Sequence, residues 1–226
     1  MKRGKFIVLE GVDGVGKTTL ASQLDMTEEF VHVKRKQISQ IEPFVDSQML
    51  KHNKLLWTED GSKDHLLPTT YWITLQAAWY ILLTNFVIEP LLKEGKNVVV
   101  DGWYFKLKAR LYLQGEDMDY VESIFNPILK PDIVILLNVQ LQKIWERKKD
   151  FRAYEFGKFK DSDTEERKES FIEYQTNTYK NLENMAKCDK IWNIVDLGNL
   201  DIDESAKKVK NIIINKLKEM EDENGK

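Results

Sequence analysis

Gly11-Val12-Asp13-Gly14-Val15-Gly16-Lys17-Thr18 fits the pattern G-x-x-x-x-G-K-[ST]. Glycines at this spacing let consecutive backbone N–H groups converge on phosphate oxygens. The N-terminus of a following helix adds its own unpaired donors and dipole. In such a loop the lysine, Lys17, reaches the β- and γ-phosphates, and the Thr18 hydroxyl holds Mg²⁺. Thr19 follows directly and completes the phosphate-binding run. ATP or GTP is the expected ligand. Asp13 is unusual here, because a carboxylate inside an anion site repels phosphate unless something uses it. It serves a sugar hydroxyl or an Mg²⁺-bound water, or it accepts backbone hydrogen bonds within the turn. Asp101 ends the run Val98-Val99-Val100. At the end of a strand beside the loop it suits Mg²⁺-water contact, or receipt of a hydroxyl proton from an alcohol acceptor. A helix cap or turn carboxylate is the plainer alternative.

Two more groups have side chains suited to substrate contact. Trp72, Gln76, Trp79, Tyr80 and Leu83 recur at three- and four-residue spacing on an almost uncharged stretch. Trp79 and Leu83 read as a core or dimer stripe. The polar tips of Gln76 and Tyr80 need partners, and a nucleobase presents them. Lys106 and Arg110 lie one helical turn apart, so both can point to one mouth of a sheet, or simply to solvent. His32, His52 and His65 lack metal-ligand spacing, and the acidic run Glu219-Met220-Glu221-Asp222-Glu223 reads as a solvated end.

The elements that must position these residues follow from the apolar pattern. Short strands are expected at 5–10, 30–34, 97–101, 133–137 and 190–195. Helices are expected at 17–30, 43–56, 68–93, 105–114, 118–126, 140–149, 163–187 and 203–220. Strands alternating with helices of ten residues or more specify an α/β fold with a parallel sheet and helices on both faces. Ligands then bind beyond the carboxyl ends of the strands, which is where Glu10 and Val100 lead.

Composition narrows the class. The chain has 226 residues, 42% hydrophobic and 31% charged, which excludes a disordered or collagenous chain. Its 34 Lys and Arg against 37 Asp and Glu give a net charge of −3, so no nucleic-acid polymer is expected as partner. Cys188 is the single cysteine, read as a partly buried thiol in a reducing, cytoplasmic setting. The basic start is interrupted at Glu10 and is not a signal peptide. Residues 66–88 carry no charge, yet Pro68 and several Thr, Gln and Asn residues argue for a buried helix rather than a membrane span. No repeat or linker divides the chain, so 1–226 reads as one domain.

With these features in hand, the chain resembles the thymidylate kinase family. The likeness is closest over residues 4–19 and continues in Ile88-Glu89-Pro90-Leu91, in Pro131-Asp132-Ile133-Val134-Ile135-Leu136-Leu137 and in Phe171 to Ala186. The resemblance implies a three-layer P-loop kinase fold with a five-stranded parallel sheet, usually as a homodimer. It implies transfer of the ATP γ-phosphoryl to a nucleoside monophosphate, usually dTMP. It places Asp13 at the sugar and phosphate end of the acceptor and a lid at about 147–160. There Arg147, Lys148, Lys149 and Arg152 can close over ATP, with the Arg147 and Arg152 guanidiniums preferred for their forked donors.

The family pattern is broken on the acceptor side. Asp101-Gly102-Trp103-Tyr104 keeps the aspartate and the aromatic Trp103, but glycine stands where the family has a phosphate-holding arginine. Tyr80 stands where the resemblance expects a second arginine, and Gln76 where it expects the aromatic that stacks on the base. Lys106, Arg110 and Arg35 are the available replacements. Three acceptor readings follow: a nucleoside monophosphate kinase, a kinase for an unphosphorylated nucleoside, and a regulatory protein that binds ATP without transfer.

Overall fold

Five strands, β1 (Phe6–Glu10), β2 (Phe30–Val33), β3 (Asn97–Val100), β4 (Ile133–Asn138) and β5 (Trp192–Asp196), form one parallel sheet in the order β2-β3-β1-β4-β5. They belong to a computed structural model that describes residues 2–26, 28–57, 66–157 and 164–224. All five residues of β1 are buried, as expected for an apolar run covered on both faces. Its register sets Ile7 against Val99 on one side and Ile133 on the other.

Alternation within the strands divides the core in two. Phe6, Val8, Val98, Val100, Val134 and Leu136 face one layer of helices, with Ile73, Trp79, Leu83 and Leu92 packed on them. Ile7, Leu9, Val99, Ile135 and Leu137 face the other, against Leu20, Leu24, Phe171, Val209 and Ile213. The period-2 pattern of a strand thus builds the expected three-layer α/β fold. Because β1 lies between β3 and β4, the loop after Glu10 opens into the crevice where the strand order reverses.

The helices are α1 (Lys17–Asp25), α2 (Pro43–Leu56), α3 (Thr69–Leu83), α4 (Glu89–Lys93), α5 (Phe105–Gln114), α6 (Met118–Phe125), α7 (Leu141–Arg147), α8 (Thr164–Cys188) and α9 (Ile202–Asn224). Three expectations are corrected. Helix α1 stops at Asp25 rather than running to Phe30, and the Asp25 carboxylate then accepts the His32 N–H at 2.8 Å. The expected helix over 68–93 is interrupted by a π-turn at Thr84–Ile88, in which the Glu89 N–H donates to Thr84 O. Pro90 supplies the cause, since it has no N–H for an ordinary bond and its ring crowds the carbonyl four residues back. Cys188, finally, is exposed at the end of α8 rather than partly buried.

Thr69–Lys93 is long and apolar enough to cross a membrane by length and composition, but its inward face belongs to the core. Trp79 is fully buried there and donates Nε1–H to the Arg35 carbonyl at 2.9 Å. Trp79→Ala is therefore expected to cost about 3–5 kcal/mol and Trp79→Phe about 1 kcal/mol less than that. Urea denaturation of the three proteins, compared at unchanged m-value, checks the ordering.

Candidate functional site

The phosphate loop lies between the end of β1 and the start of α1, as its sequence requires. Gly14 has φ +77°, and a Cβ there would stand 2.7 Å from Ile144 Cγ2 on α7, so only glycine lets α7 approach this closely. Lys17 Nζ donates to the carbonyls of Gly11 and Val12 at 2.8 Å each. Burial, with Lys106 adding to it, lowers the Lys17 pKa to about 7 against the opposing pull of Asp13 and Glu10. Thr18 Oγ1 donates to Asp101 Oδ2 at 2.5 Å. Gly14, Val15, Gly16, Thr19 and Arg147 line a cavity of about 410 Å³ on the outer side of the loop, closed by Lys143 and the 197–202 turn.

Asp13 is buried and meets two cations from α5. Lys106 Nζ donates to Oδ1 at 2.5 Å, and Arg110 Nη2 donates to Oδ2. Burial alone would raise the Asp13 pKa; Lys106, Arg110 and Lys17 outweigh it and hold the carboxyl well below its usual range. Both α5 side chains are only 14% exposed, which removes the solvated reading for them. Arg110 also lies over the rings of Tyr174 and Tyr154, at 5.4 and 5.8 Å. Asp13 makes side-chain ion pairs here, not the internal turn bonds that were its plainer alternative.

Asp101 caps no helix either, since α5 begins at Phe105 with Tyr104 before it. Its Oδ2 holds Thr18, and its buried Oδ1 lies 3.6 Å from His32 Nε2 without a hydrogen bond. Burial tends to raise its pKa, but the approach of His32 and Thr18 lowers it overall. Gly102 follows with φ +117° and a Cβ direction toward Lys17 Cε at 3.8 Å. The position that the resemblance assigns to arginine thus has a backbone that side chains rarely adopt.

Of the remaining expected residues, Tyr80 and Trp103 form one ring pair at 4.6 Å. Tyr80 donates its hydroxyl to the Trp103 carbonyl at 3.2 Å, and Trp103 donates Nε1–H to Leu129 O at 3.1 Å. Their polar tips find partners inside the protein, so the need for a nucleobase that motivated Tyr80 is met internally. Trp72 and Gln76 are half-buried, Gln76 one turn before Tyr80 on the same side of α3. The Arg35 guanidinium lies over Trp57 at 5.3 Å. Of the expected lid cations, Arg147 donates Nη2–H to the Gly14 carbonyl, whereas the Arg152 charge acts on Lys36 and Tyr154. Lys148 is committed to Glu155 at 2.5 Å. Residues 158–160, the far end of the expected lid, lie outside the described residues.

Three participants escaped the sequence reading. Glu10 is fully buried, accepts from Trp103 N–H at 2.8 Å and Gly11 N–H at 3.3 Å, and has its pKa raised by burial. His32 approaches Asp101. Gln175 on α8 donates Nε2–H to Asp13 Oδ2 at 3.2 Å and accepts the Asp13 N–H at 3.1 Å. Only Glu10 left a trace in sequence, as a charge directly before the loop.

A family model for thymidylate kinase matches residues 9–209. The chain belongs to the thymidylate kinase family. It is therefore a P-loop phosphotransferase. A probable thymidylate kinase of Pyrococcus horikoshii is 29% identical over 150 residues, covering 64% of this chain and 70% of that protein. One from Staphylothermus marinus is 32% identical over 138 residues, covering 60% and 64%. The solved structure of a thymidylate kinase from Candida albicans superposes with a TM-score of 0.63 at 21% identity, covering 94% and 92%, and establishes likeness of fold.

Neutralising the loop carboxylate should expose how much the thymidylate kinase site depends on it. Asp13→Asn leaves Lys106 and Arg110 buried without their counter-charge and is expected to destabilise by about 3–5 kcal/mol at pH 7. Because the folded pKa is depressed, the carboxylate's contribution is present above its unfolded pKa. It is lost as pH falls through the folded value. The gap between variant and wild type in chemical denaturation should thus narrow as pH falls below about 4.

Proposed function

We propose that this chain transfers the γ-phosphoryl group of ATP to dTMP or a closely related nucleoside monophosphate. The observation that carries the choice of a phosphorylated acceptor is the pair of buried cations, Lys106 and Arg110, converging on the single carboxylate of Asp13. Two cations to one carboxylate leave positive charge at the inner end of the cleft, which suits an anionic phosphate and offers nothing to a bare nucleoside hydroxyl. Arg35 adds to that field on Lys106.

The donor occupies the loop from Gly11 to Thr19. Lys17 exchanges the Gly11 and Val12 carbonyls for phosphoryl oxygens, and bound phosphate returns its pKa upward. Arg147 meets the donor side of the loop and Arg152 the acceptor side, so charge developing on the transferring group is met from both directions. Thr18 and Asp101 fit Mg²⁺, because two hard oxygens adjoin and the buried Asp101 Oδ1 has no hydrogen-bond partner. Thr18 and Asp101 would hold the ion, which would supply charge neutralisation for the donor phosphates. The acceptor is already an anion, so Asp101 need not act as a base. Gln76, half-buried on α3 one turn before Tyr80, offers its amide to the nucleoside, with Trp72 half-buried one turn earlier.

We read residues 1–226 as one kinase domain with its lid at 147–160, working in the cytoplasm on small molecules. The assay is ADP release with Mg²⁺ and ATP against a panel of nucleosides and nucleoside monophosphates. Turnover on dTMP and not thymidine is expected, and Lys106→Ala and Arg110→Ala should each raise the monophosphate KM by roughly tenfold to a hundredfold. Preference for thymidine would instead favour a nucleoside kinase.

A homodimer through α2 and α3 accompanies this reading. Phe44 is 68% exposed, with Leu50, Leu55, Tyr71 and Ile81 also open on these two helices. So much apolar surface on two neighbouring helices calls for a second copy to cover it. Light scattering should return twice the 26.6 kDa chain mass; a concentration-independent single-chain mass would refute the dimer.

A further inference from the structure

Gln175 is fully buried on α8, and its amide is directed wholly at the phosphate loop and the lid. Oε1 accepts the Asp13 N–H at 3.1 Å, while Nε2 donates to Asp13 Oδ2 at 3.2 Å and to the Glu155 carbonyl at 2.8 Å. Both amide hydrogens and the amide oxygen are used. Core packing alone does not require an amide here, since an apolar side chain of the same volume would fill the space without the desolvation cost. The buried Phe171, one turn earlier on α8, does that kind of work.

We infer that Gln175 is a positioning residue for acceptor binding, which holds the Asp13 carboxylate and the lid turn 153–156 as one unit. This rests on the reading of Lys106 and Arg110 as the acceptor-phosphate site. One amide grips both the backbone N–H and the side-chain oxygen of Asp13, so the carboxylate plane cannot rotate with its cations. Lys106 and Arg110 are therefore presented at a fixed spacing rather than drawn after a mobile partner. Through the Glu155 carbonyl the same amide fixes the turn carrying Tyr154, whose ring lies 5.8 Å from the Arg110 guanidinium. Lys148 closes the unit on the Glu155 carboxylate. Donor and acceptor then depend on Gln175 to different degrees: the acceptor cations are paired to the Asp13 carboxylate it fixes, whereas the Lys17 and Thr18 side chains bond to Gly11, Val12 and Asp101.

The test uses the whole protein with ATP, Mg²⁺ and dTMP. Gln175→Met keeps the volume and removes all three hydrogen bonds. The acceptor KM should rise about tenfold or more while the ATP KM stays within about twofold. Hydrogen exchange should accelerate at the Asp13 amide and across 153–156, and remain at wild-type rates in the sheet. Acceptor and donor KM both within about twofold of wild type would overturn the inference, as would a parallel rise in both with exchange faster throughout the chain. Should Gln175→Met fail to fold, Gln175→Glu decides. It loses the donors and sets a second carboxylate beside Asp13, so an acceptor KM within about twofold of wild type would again overturn the inference. If wild type turns over no monophosphate, the acceptor reading fails by itself. Exchange at Asp13 and 153–156 then tests Gln175 alone, and unchanged rates in Gln175→Met refute it.

Discussion

Asp13 is a buried carboxylate in a loop whose backbone is arranged for anions, and it is tolerated there because cations surround it. Lys106 and Arg110 meet its two oxygens, and Lys17 reinforces them electrostatically. Removing either side of such a cluster leaves uncompensated charge in a poorly solvated place, which costs several kcal/mol. Much of the nearby architecture serves this balance. Helix α5 must present residues 106 and 110 on one face, and Asn181 on α8 helps secure it by donating to the Ala109 carbonyl at 3.0 Å. Helix α8 in turn supplies Gln175 and the ring of Tyr174. The turn 153–156 is drawn in through Glu155, so the loop, two helices and this turn share one polar centre.

The same balance accounts for the uneven character of the cleft. Its donor half is conventional, with a lysine, a threonine hydroxyl and a strand-end carboxylate at the spacing their chemistry needs. On the proposed reading, its acceptor half reaches positive charge by a different route from the family pattern. Gly102 has a backbone conformation that disfavours a side chain, and the cations come instead from the next helix. Arg35, on the segment after β2, is a further cation whose charge reaches Lys106.

Features carried by local sequence were legible. The loop spacing, the apolar runs of β1, β3 and β4, and the proline and glycine stops gave the strand order's ingredients and the position of the site between Glu10 and Val100. Lys106 and Arg110 were found by their spacing, though nothing local decided between solvent and burial. What stayed hidden depends on contacts far apart in the chain. Gln175 meets Asp13 across 162 positions, and a glutamine inside an amphipathic helix looks like any surface residue. His32 reads as one member of a short strand, and only the pairing of β2 with β3, setting His32 opposite Val99, brings it to Asp101. The partner of the Tyr80 hydroxyl, the Trp103 carbonyl, is hidden for the same reason, since it lies beyond the next strand. The π-turn at Thr84–Ile88 was foreshadowed by Pro90 but not by its own residues.

On the proposed reading, the cations gathered on Asp13 are the seat of the acceptor phosphate. A crystal structure with dTMP and ADP tests it most directly. The account predicts the dTMP phosphate within hydrogen-bond distance of Lys106 Nζ and the Arg110 guanidinium, with Asp13 still held by Gln175. A phosphate bound by other groups, with Lys106 and Arg110 left paired to Asp13 alone, would contradict it.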